Sequence, residues 1–300
     1  MDTAGILCIN KPAGCTSHDV IYKVRRMFGT KQVGHTGTLD PLATGVLVVM
    51  VGRAVKASEL LMSDTKEYLA GLRLGITTDT EDITGNVIAV YDGELPVPEV
   101  VEKAAQRFRG EILQVPPMYS ALKIDGRKLV DMARRGEEIE RRPRPVMVEA
   151  LELYPTPEAA EYRLLARVSK GTYIRTLCAD IGTFLGTGAV MSSLVRLSCG
   201  ELGLEDCCTL EELEGMDAEQ RRERLLPVDT LFTDCPGIHL PDFYARLGAC
   251  GCELYQRKLG ISVPDGVLVR LYDKDGFFAL GRAMQYLDGS AIKPVKQFRI

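Results

Sequence analysis

The run Val46-Leu47-Val48-Val49-Met50-Val51 constrains this chain more than any other stretch. Six consecutive apolar residues leave no side to face water, so the segment reads as a strand buried on both faces. It is entered from the loop Gly34-His35-Thr36-Gly37-Thr38-Leu39-Asp40-Pro41-Leu42-Ala43-Thr44-Gly45. The glycines at 34, 37 and 45 permit backbone conformations that a side chain forbids. Pro41 fixes its own φ and turns Asp40 away from helix. One carboxylate is thereby held at the mouth of a core strand, a placement suited to keeping a reactive group still. Loop chemistry alone leaves two readings of Asp40 open: a reactive acid, or a carboxylate capping nearby N–H groups.

The flanking segments predict a mixed architecture. Ile6-Leu7-Cys8-Ile9 is a short strand ending at the turn Asn10-Lys11-Pro12-Ala13-Gly14. Ser17 is the expected N-cap of a helix with Asp19 in its first turn. Val20, Ile21, Val24, Met27 and Phe28 share its inner face, Lys23, Arg25 and Arg26 form its solvated side, and Gly29 stops it. Residues 66–75 read as a strand. The acidic turn Thr77-Thr78-Asp79-Thr80-Glu81-Asp82 lacks the glycine and terminal glutamate of a calcium loop and is expected as solvated loop. A helix over 97–108, extended pieces at 112–115 and 118–124, and a short helix over 128–135 follow. Strands at 146–154 and 162–168, a helix over 173–185 and an extended piece at 189–197 come next. Strands interspersed with helices, without βαβ spacing, predict an α+β fold with a mixed, mostly antiparallel sheet. Helical pieces over 210–226 close the main unit. After Asp234-Cys235-Pro236-Gly237 the composition changes, and extended pieces at 267–271, 277–283 and 292–300 predict a small C-terminal β-barrel.

Composition narrows the chemistry. The 300 residues are 46% hydrophobic and 26% charged, and no apolar stretch nears the roughly 20 residues of a membrane span. The N-terminus, Met1-Asp2-Thr3-Ala4-Gly5, has no basic leader region, so a cytoplasmic location is expected. The nine cysteines include no Cys-x-x-Cys and read as reduced packing thiols rather than zinc ligands. The three histidines, His18, His35 and His239, are too dispersed to suggest a metal cluster. The glycine-rich loop precedes a strand instead of opening a helix and lacks Gly-Lys-Ser/Thr, which excludes a nucleotide phosphate loop. No Gly-x-Ser-x-Gly elbow is present. What remains is an aspartate working alone, as nucleophile or base. The net charge of −4 conceals a local excess: eight basic residues lie between Lys123 and Arg144, against five acids.

The loop at 34–45 resembles the signature of the TruB family of tRNA pseudouridine synthases, and other stretches resemble that family in order. Asn10-Lys11-Pro12-Ala13-Gly14 is similar to its N-terminal element, and Lys66-Glu67-Tyr68 to its tyrosine motif. Tyr119-Ser120-Ala121-Leu122-Lys123-Ile124-Asp125-Gly126 resembles the start of its RNA-gripping insertion. Lys170-Gly171-Thr172-Tyr173-Ile174-Arg175-Thr176-Leu177 resembles its arginine motif, and Ser192-Ser193-Leu194-Val195-Arg196-Leu197 its late strand. At Val130 the chain departs from relatives that carry tyrosine, and no role is transferred there.

The resemblance implies an enzyme that isomerises uridine 55 in the T-loop of tRNA, without cofactor or metal. It implies a catalytic domain over 1–232, with the insertion at about 117–145, and a PUA-like RNA-binding domain over 233–300. Asp40 is the implied catalytic carboxylate, expected to pair with Arg175 and thereby stay ionised. The target base must be flipped out of its stack. Tyr68 is then expected to stack on it, Tyr173 and Leu194 to wall it, and His35 to fill the vacated space. Lys11 is expected to orient the loop. Lys123, Arg127, Lys128, Arg134, Arg135, Arg141 and Arg142 are expected to grip phosphates. The implied partner is a tRNA T-stem-loop, bound by a monomer without an obligate protein partner. Two rival readings are a tRNA-folding protein without catalysis and a guide-RNA-dependent synthase.

Overall fold

The computed structural model describes residues 4–60 and 65–299. Residues 1–3 of the expected leaderless start, and Ile300, where the last extended piece is expected to end, lie outside the described residues. The first half contains β1 (Gly5–Lys11), α1 (Ser17–Phe28), β2 (Val33–His35), β3 (Thr44–Val51), β4 (Lys66–Leu74) and the hairpin of β5 (Ile76–Thr78) and β6 (Val87–Val90). It continues with α2 (Pro98–Ala105), β7 (Gly110–Gln114), the hairpin of β8 (Lys123–Ile124) and β9 (Arg127–Lys128), and α3 (Leu129–Ala133). Then come β10 (Arg144–Pro155), β11 (Glu161–Val168), α4 (Ile174–Leu185), β12 (Ala189–Cys199), β13 (Leu202–Gly203), α5 (Leu210–Gly215) and α6 (Ala218–Glu223). The tail holds β14 (Gly237–His239), α7 (Asp242–Ala249), β15 (Leu254–Tyr255), α8 (Gln256–Leu259), β16 (Leu268–Asp273), β17 (Gly276–Tyr286) and β18 (Gly289–Gln297).

The main sheet runs β1-β3-β12-β4-β11-β10-β7, with β2 on β3 and β13 on β12. Among the described residues of this sheet, β12 pairs with β3 in parallel and the other strand pairs are antiparallel. This is the mixed, mostly antiparallel sheet expected of an α+β fold. In the tail, β14-β16-β17-β18-β15 forms a second, curled five-stranded sheet, a half-barrel.

The two sheets explain why the apolar run is continuous. Leu47, Val49 and Val51 join a core with Val20, Ile21 and Val24 of α1 and Leu177 and Ile181 of α4. Val46, Val48 and Met50 point the other way, into a core shared with Phe232 and with Leu280 and Phe298 of the tail. Alternate residues of a strand face opposite sides, so β3 needs a cover on each. Burial contributes about 1.5–3 kcal/mol for each such aliphatic side chain.

Several local expectations change. The N-cap of α1 is Thr16, whose Oγ1 accepts from Asp19 N–H (3.1 Å) while Asp19 Oδ2 accepts from Thr16 N–H (2.8 Å). Ser17 is released from capping, and its buried hydroxyl bonds Leu39 in the Asp40 loop instead. Arg25 is not simply solvated, since it donates to Val33 O (3.2 Å). Of the three loop glycines only Gly45 has positive φ (+98°), and a Cβ there would lie 2.2 Å from Arg196 O. Close packing of β3 on β12, rather than loop flexibility, makes glycine necessary at 45. The piece at 118–124 is bent, and only Lys123–Ile124 pairs as strand.

Candidate active site

Four anchors hold the Asp40 loop from beneath. Lys11, fully buried at the end of β1, donates from Nζ to the carbonyls of Pro12 (2.8 Å), Ala43 (2.7 Å) and Pro41 (3.4 Å). Ser17 Oγ accepts from Leu39 N–H (2.8 Å) and donates to Leu39 O (3.1 Å). Gly14 N–H donates to Pro41 O (2.8 Å). Arg196, 1% exposed, donates from Nε to Val46 O (2.6 Å) and from Nη2 to Gly37 O (3.1 Å). Buried cations donating to several carbonyls fix a loop more firmly than neutral bonds would, because charge-assisted bonds are the stronger class. Lys11 is therefore bonded to the loop backbone at Pro41 and Ala43.

The carboxylate and Arg175 both line a cleft of about 290 Å³. Arg175 Nε lies 2.9 Å from Asp40 Oδ2, and Nη2 lies 3.3 Å from Oδ1. The expected ion pair is present. The same guanidinium donates to Thr80 O (2.9 Å) and Tyr119 O (2.9 Å), and its Nη1 stands 3.7 Å from Asp82 Oδ2. One arginine thus ties the Asp40 loop to the turn at 79–82 and to the start of the insertion. Burial pushes the Asp40 carboxyl above its ordinary value; Arg175 opposes the rise, Asp82 adds to it and Lys11 opposes it.

The acidic turn is the chief correction to the sequence reading. It is not a solvated loop: Asp82 is 5% exposed and Thr78 3%. Asp82 Oδ1 accepts from Thr84 N–H (2.9 Å), Thr84 Oγ1 (2.5 Å) and Thr80 Oγ1 (3.0 Å), which aims Oδ2 at Arg175. Glu81 sits at φ +63° and accepts from Thr176 Oγ1 (2.5 Å). Backbone pairing with Met191 docks this turn against β12. A run of acids and threonines has the composition of a surface turn, and nothing local announces that docking.

Tyr68 and Leu194, both nearly buried, line the cleft with Tyr173. Tyr68 on β4 stands opposite Arg196 on β12, and Leu194 opposite Ala70. Burial raises the Tyr68 phenol above its ordinary value, and Arg196 opposes that. Tyr173 caps α4, its N–H donating to Gln114 Oε1 (2.8 Å) and its C=O accepting from Gln114 Nε2 (3.0 Å). His35 is not brought to the cleft lining. It lies on β2 against β3, its Nδ1 buried without a partner, and burial lowers its pKa.

Two wall residues, Lys66 and Arg196, were assigned no role from sequence although both lie in motifs that carry the resemblance. Strand alternation is the signal that finds them: Lys66 is two before Tyr68, and Arg196 two after Leu194. Gln114 left no comparable mark.

The insertion carries its cations outside. Lys123, Arg127, Lys128, Arg134, Arg135 and Arg142 are exposed. Arg127 and Arg135 both pair with Glu137, at 3.2 and 2.6 Å. Arg141 is turned partly inward, donating to Pro116 O (3.2 Å) and pairing with Glu138 (3.4 Å), so part of its donor capacity holds the insertion.

Residues 25–174 match the family model described as TruB family pseudouridylate synthase (N terminal domain). Residues 175–233 match that of the tRNA pseudouridylate synthase B C-terminal domain. The chain is 45% identical over 242 residues to tRNA pseudouridine synthase B of Clostridium kluyveri, covering 81% of this chain and 82% of the relative. It is 38% identical over 292 residues to the protein of that name from Aquifex aeolicus, covering 97% and 98%. Among solved structures, a chain of a Cbf5-Nop10-Gar1 complex superposes with a TM-score of 0.75 at 27% identity, covering 99% of this chain and 85% of that one.

Proposed function

The chain belongs to the TruB family of pseudouridylate synthases, and from that membership we propose that it isomerises uridine 55 in the T-loop of tRNA, with Asp40 as its catalytic carboxylate. The single observation that carries the assignment is the Asp40–Arg175 pair at 2.9 Å in a cleft walled by Tyr68, Tyr173 and Leu194. The reaction breaks the bond from C1′ to N1, rotates the base and joins C1′ to C5, with no net oxidation and no group donor. An anion at Asp40 has three routes into it: attack on C1′, attack on C6, or removal of the 2′ proton. Each requires the ionised acid. Arg175 supports ionisation against burial and keeps the carboxylate from turning away, since both oxygens are engaged.

The flipped uracil stacks on Tyr68 in this reading, with Leu194 and Tyr173 closing the walls and Lys11 acting through the loop backbone. His35 stands outside the cleft lining and is assigned to the space the base leaves in the RNA. The exposed cations of the insertion grip phosphates of the T-stem-loop. We extend the proposal to a division at 232/233, with the curled sheet as a PUA-like RNA-binding unit. It includes action as a cytoplasmic monomer, in keeping with nine free cysteines.

Higher identity to the relatives named tRNA pseudouridine synthase B than to the Cbf5 chain favours tRNA over a guide-RNA particle. A carboxylate held in a walled cleft against a buried arginine favours catalysis over RNA folding alone. The test is tritium release from [5-³H]uridine tRNA by wild type and Asp40→Asn. Release lost in the variant while tRNA binding persists supports the proposal; release that survives the substitution removes Asp40 from it.

A further inference from the structure

One hydrogen-bonding group in the cleft wall is left incomplete. Ser120 is 5% exposed and lines the cleft with Asp40, Tyr68 and Leu194. Its backbone is fully engaged: the N–H donates to Met118 O (2.9 Å) and the C=O accepts from Val130 N–H (3.0 Å) at the first turn of α3. The preceding carbonyl, of Tyr119, accepts from Arg175. Ser120 is thus fixed between Arg175 and α3. Its hydroxyl oxygen, shut from solvent, has no partner. Arg25 Nε, His35 Nδ1 and Arg141 Nε share that condition among the described residues, but none of those three residues lines the cleft. A buried hydroxyl without a partner is costly, and native proteins seldom keep one without a use.

We propose that Ser120 is a substrate-contacting residue whose hydroxyl donates a hydrogen bond to a carbonyl oxygen of the target uracil. The inference rests on the pseudouridine synthase reading. Uracil offers two acceptors, O2 and O4, related by the axis through N3 and C6. The rotation that replaces N1 by C5 at C1′ is a half-turn about that axis, and it exchanges O2 with O4. A donor placed for one carbonyl therefore meets a carbonyl in substrate and product alike. A change of χ1 between staggered rotamers re-aims the hydroxyl while the backbone stays fastened.

Ser120→Ala is expected to lower the single-turnover rate of pseudouridine formation about tenfold, the upper range for one hydrogen bond. The melting temperature should hold or rise, since no bond within the protein is removed. Affinity for tRNA should stay within about twofold, because phosphate contacts dominate it. Target uridines carrying sulfur in place of O2 or O4 locate the contact: one of them should slow the wild type more than the variant. Full activity in Ser120→Ala, equal thio effects in both enzymes, or a lower melting temperature would each overturn the assignment, the last two pointing to an ordered water or a structural bond. A wild type that forms no pseudouridine would overturn the parent reading; an active wild type with an equally active Ser120→Ala would overturn only this one.

Discussion

The cleft around Asp40 and the basic stretch from Lys123 to Arg144 both carry charge, and they hold it in opposite ways. In and around the cleft, Lys11, Asp82, Arg175 and Arg196 are at most 5% exposed, and each has several partners. In the insertion, Arg127, Arg135 and Glu137 keep side-chain exposures of 59, 53 and 40%. Buried charges stay charged only where geometry compensates for lost water, so their positions are tightly specified. Exposed pairs contribute little and are easily exchanged for a phosphate. On the proposed function, one region holds atoms still for chemistry and the other trades partners.

That contrast is most exposed at Asp40. Asp40→Asn should lower single-turnover pseudouridine formation by about 10³-fold or more, within the range for loss of an acid–base group, while tRNA affinity measured by filter binding stays near wild type. With a folded pKa above the unfolded value, the ionised carboxylate lessens stability as pH rises through that interval, and the neutral amide avoids this.

Next in size is Lys11→Met, which leaves the Ala43 and Pro12 carbonyls without their donor. At about 1.5–3 kcal/mol per bond to a charged group, thermal denaturation should show a clear loss of stability, and turnover should fall as the loop loosens. An unchanged melting temperature would break the view of the loop as clamped from below. Asp82→Asn should act through pH. Asp82 pushes the Asp40 pKa upward, so its removal should move the acid limb of the rate profile to lower pH. In the wild type that limb should lie above the ordinary aspartate value of ~3.9. A limb that does not move would uncouple the turn at 79–82 from Asp40.

The insertion should respond through binding. Lys128→Ala or Arg134→Ala should weaken tRNA affinity without changing the rate at saturation, and flatten the log–log salt slope by about 0.7–0.9 for each phosphate left unneutralised. The smallest effect expected is a gain: Glu137→Gln should release Arg127 and Arg135 and tighten tRNA binding slightly at low salt. A fall in turnover at saturation from either kind of change would erase the division between grip and chemistry.

Legibility in the sequence followed the range of the interactions. The strand at 46–51, the helix closed by Gly29 and the helix closed by Gly186 were readable because period and cap lie within a few residues. The Asp40–Arg175 pair was legible only through family resemblance, since 135 residues separate the two. Thr16 displaced Ser17 as the cap because a buried bond to Leu39 claimed the Ser17 hydroxyl, and that competition is tertiary.

By itself the sequence determined that β3 must be covered on both faces, that one acid stands at its mouth, and that cations gather in one insertion. Tertiary structure decided what covers β3, with helices on one side and the curled sheet on the other. It also decided that the turn at 79–82 leaves solvent and lends Asp82 to Arg175. The physical reason is common to both. Periodicity and capping are local, whereas burial of a charge depends on which distant segment arrives to compensate it.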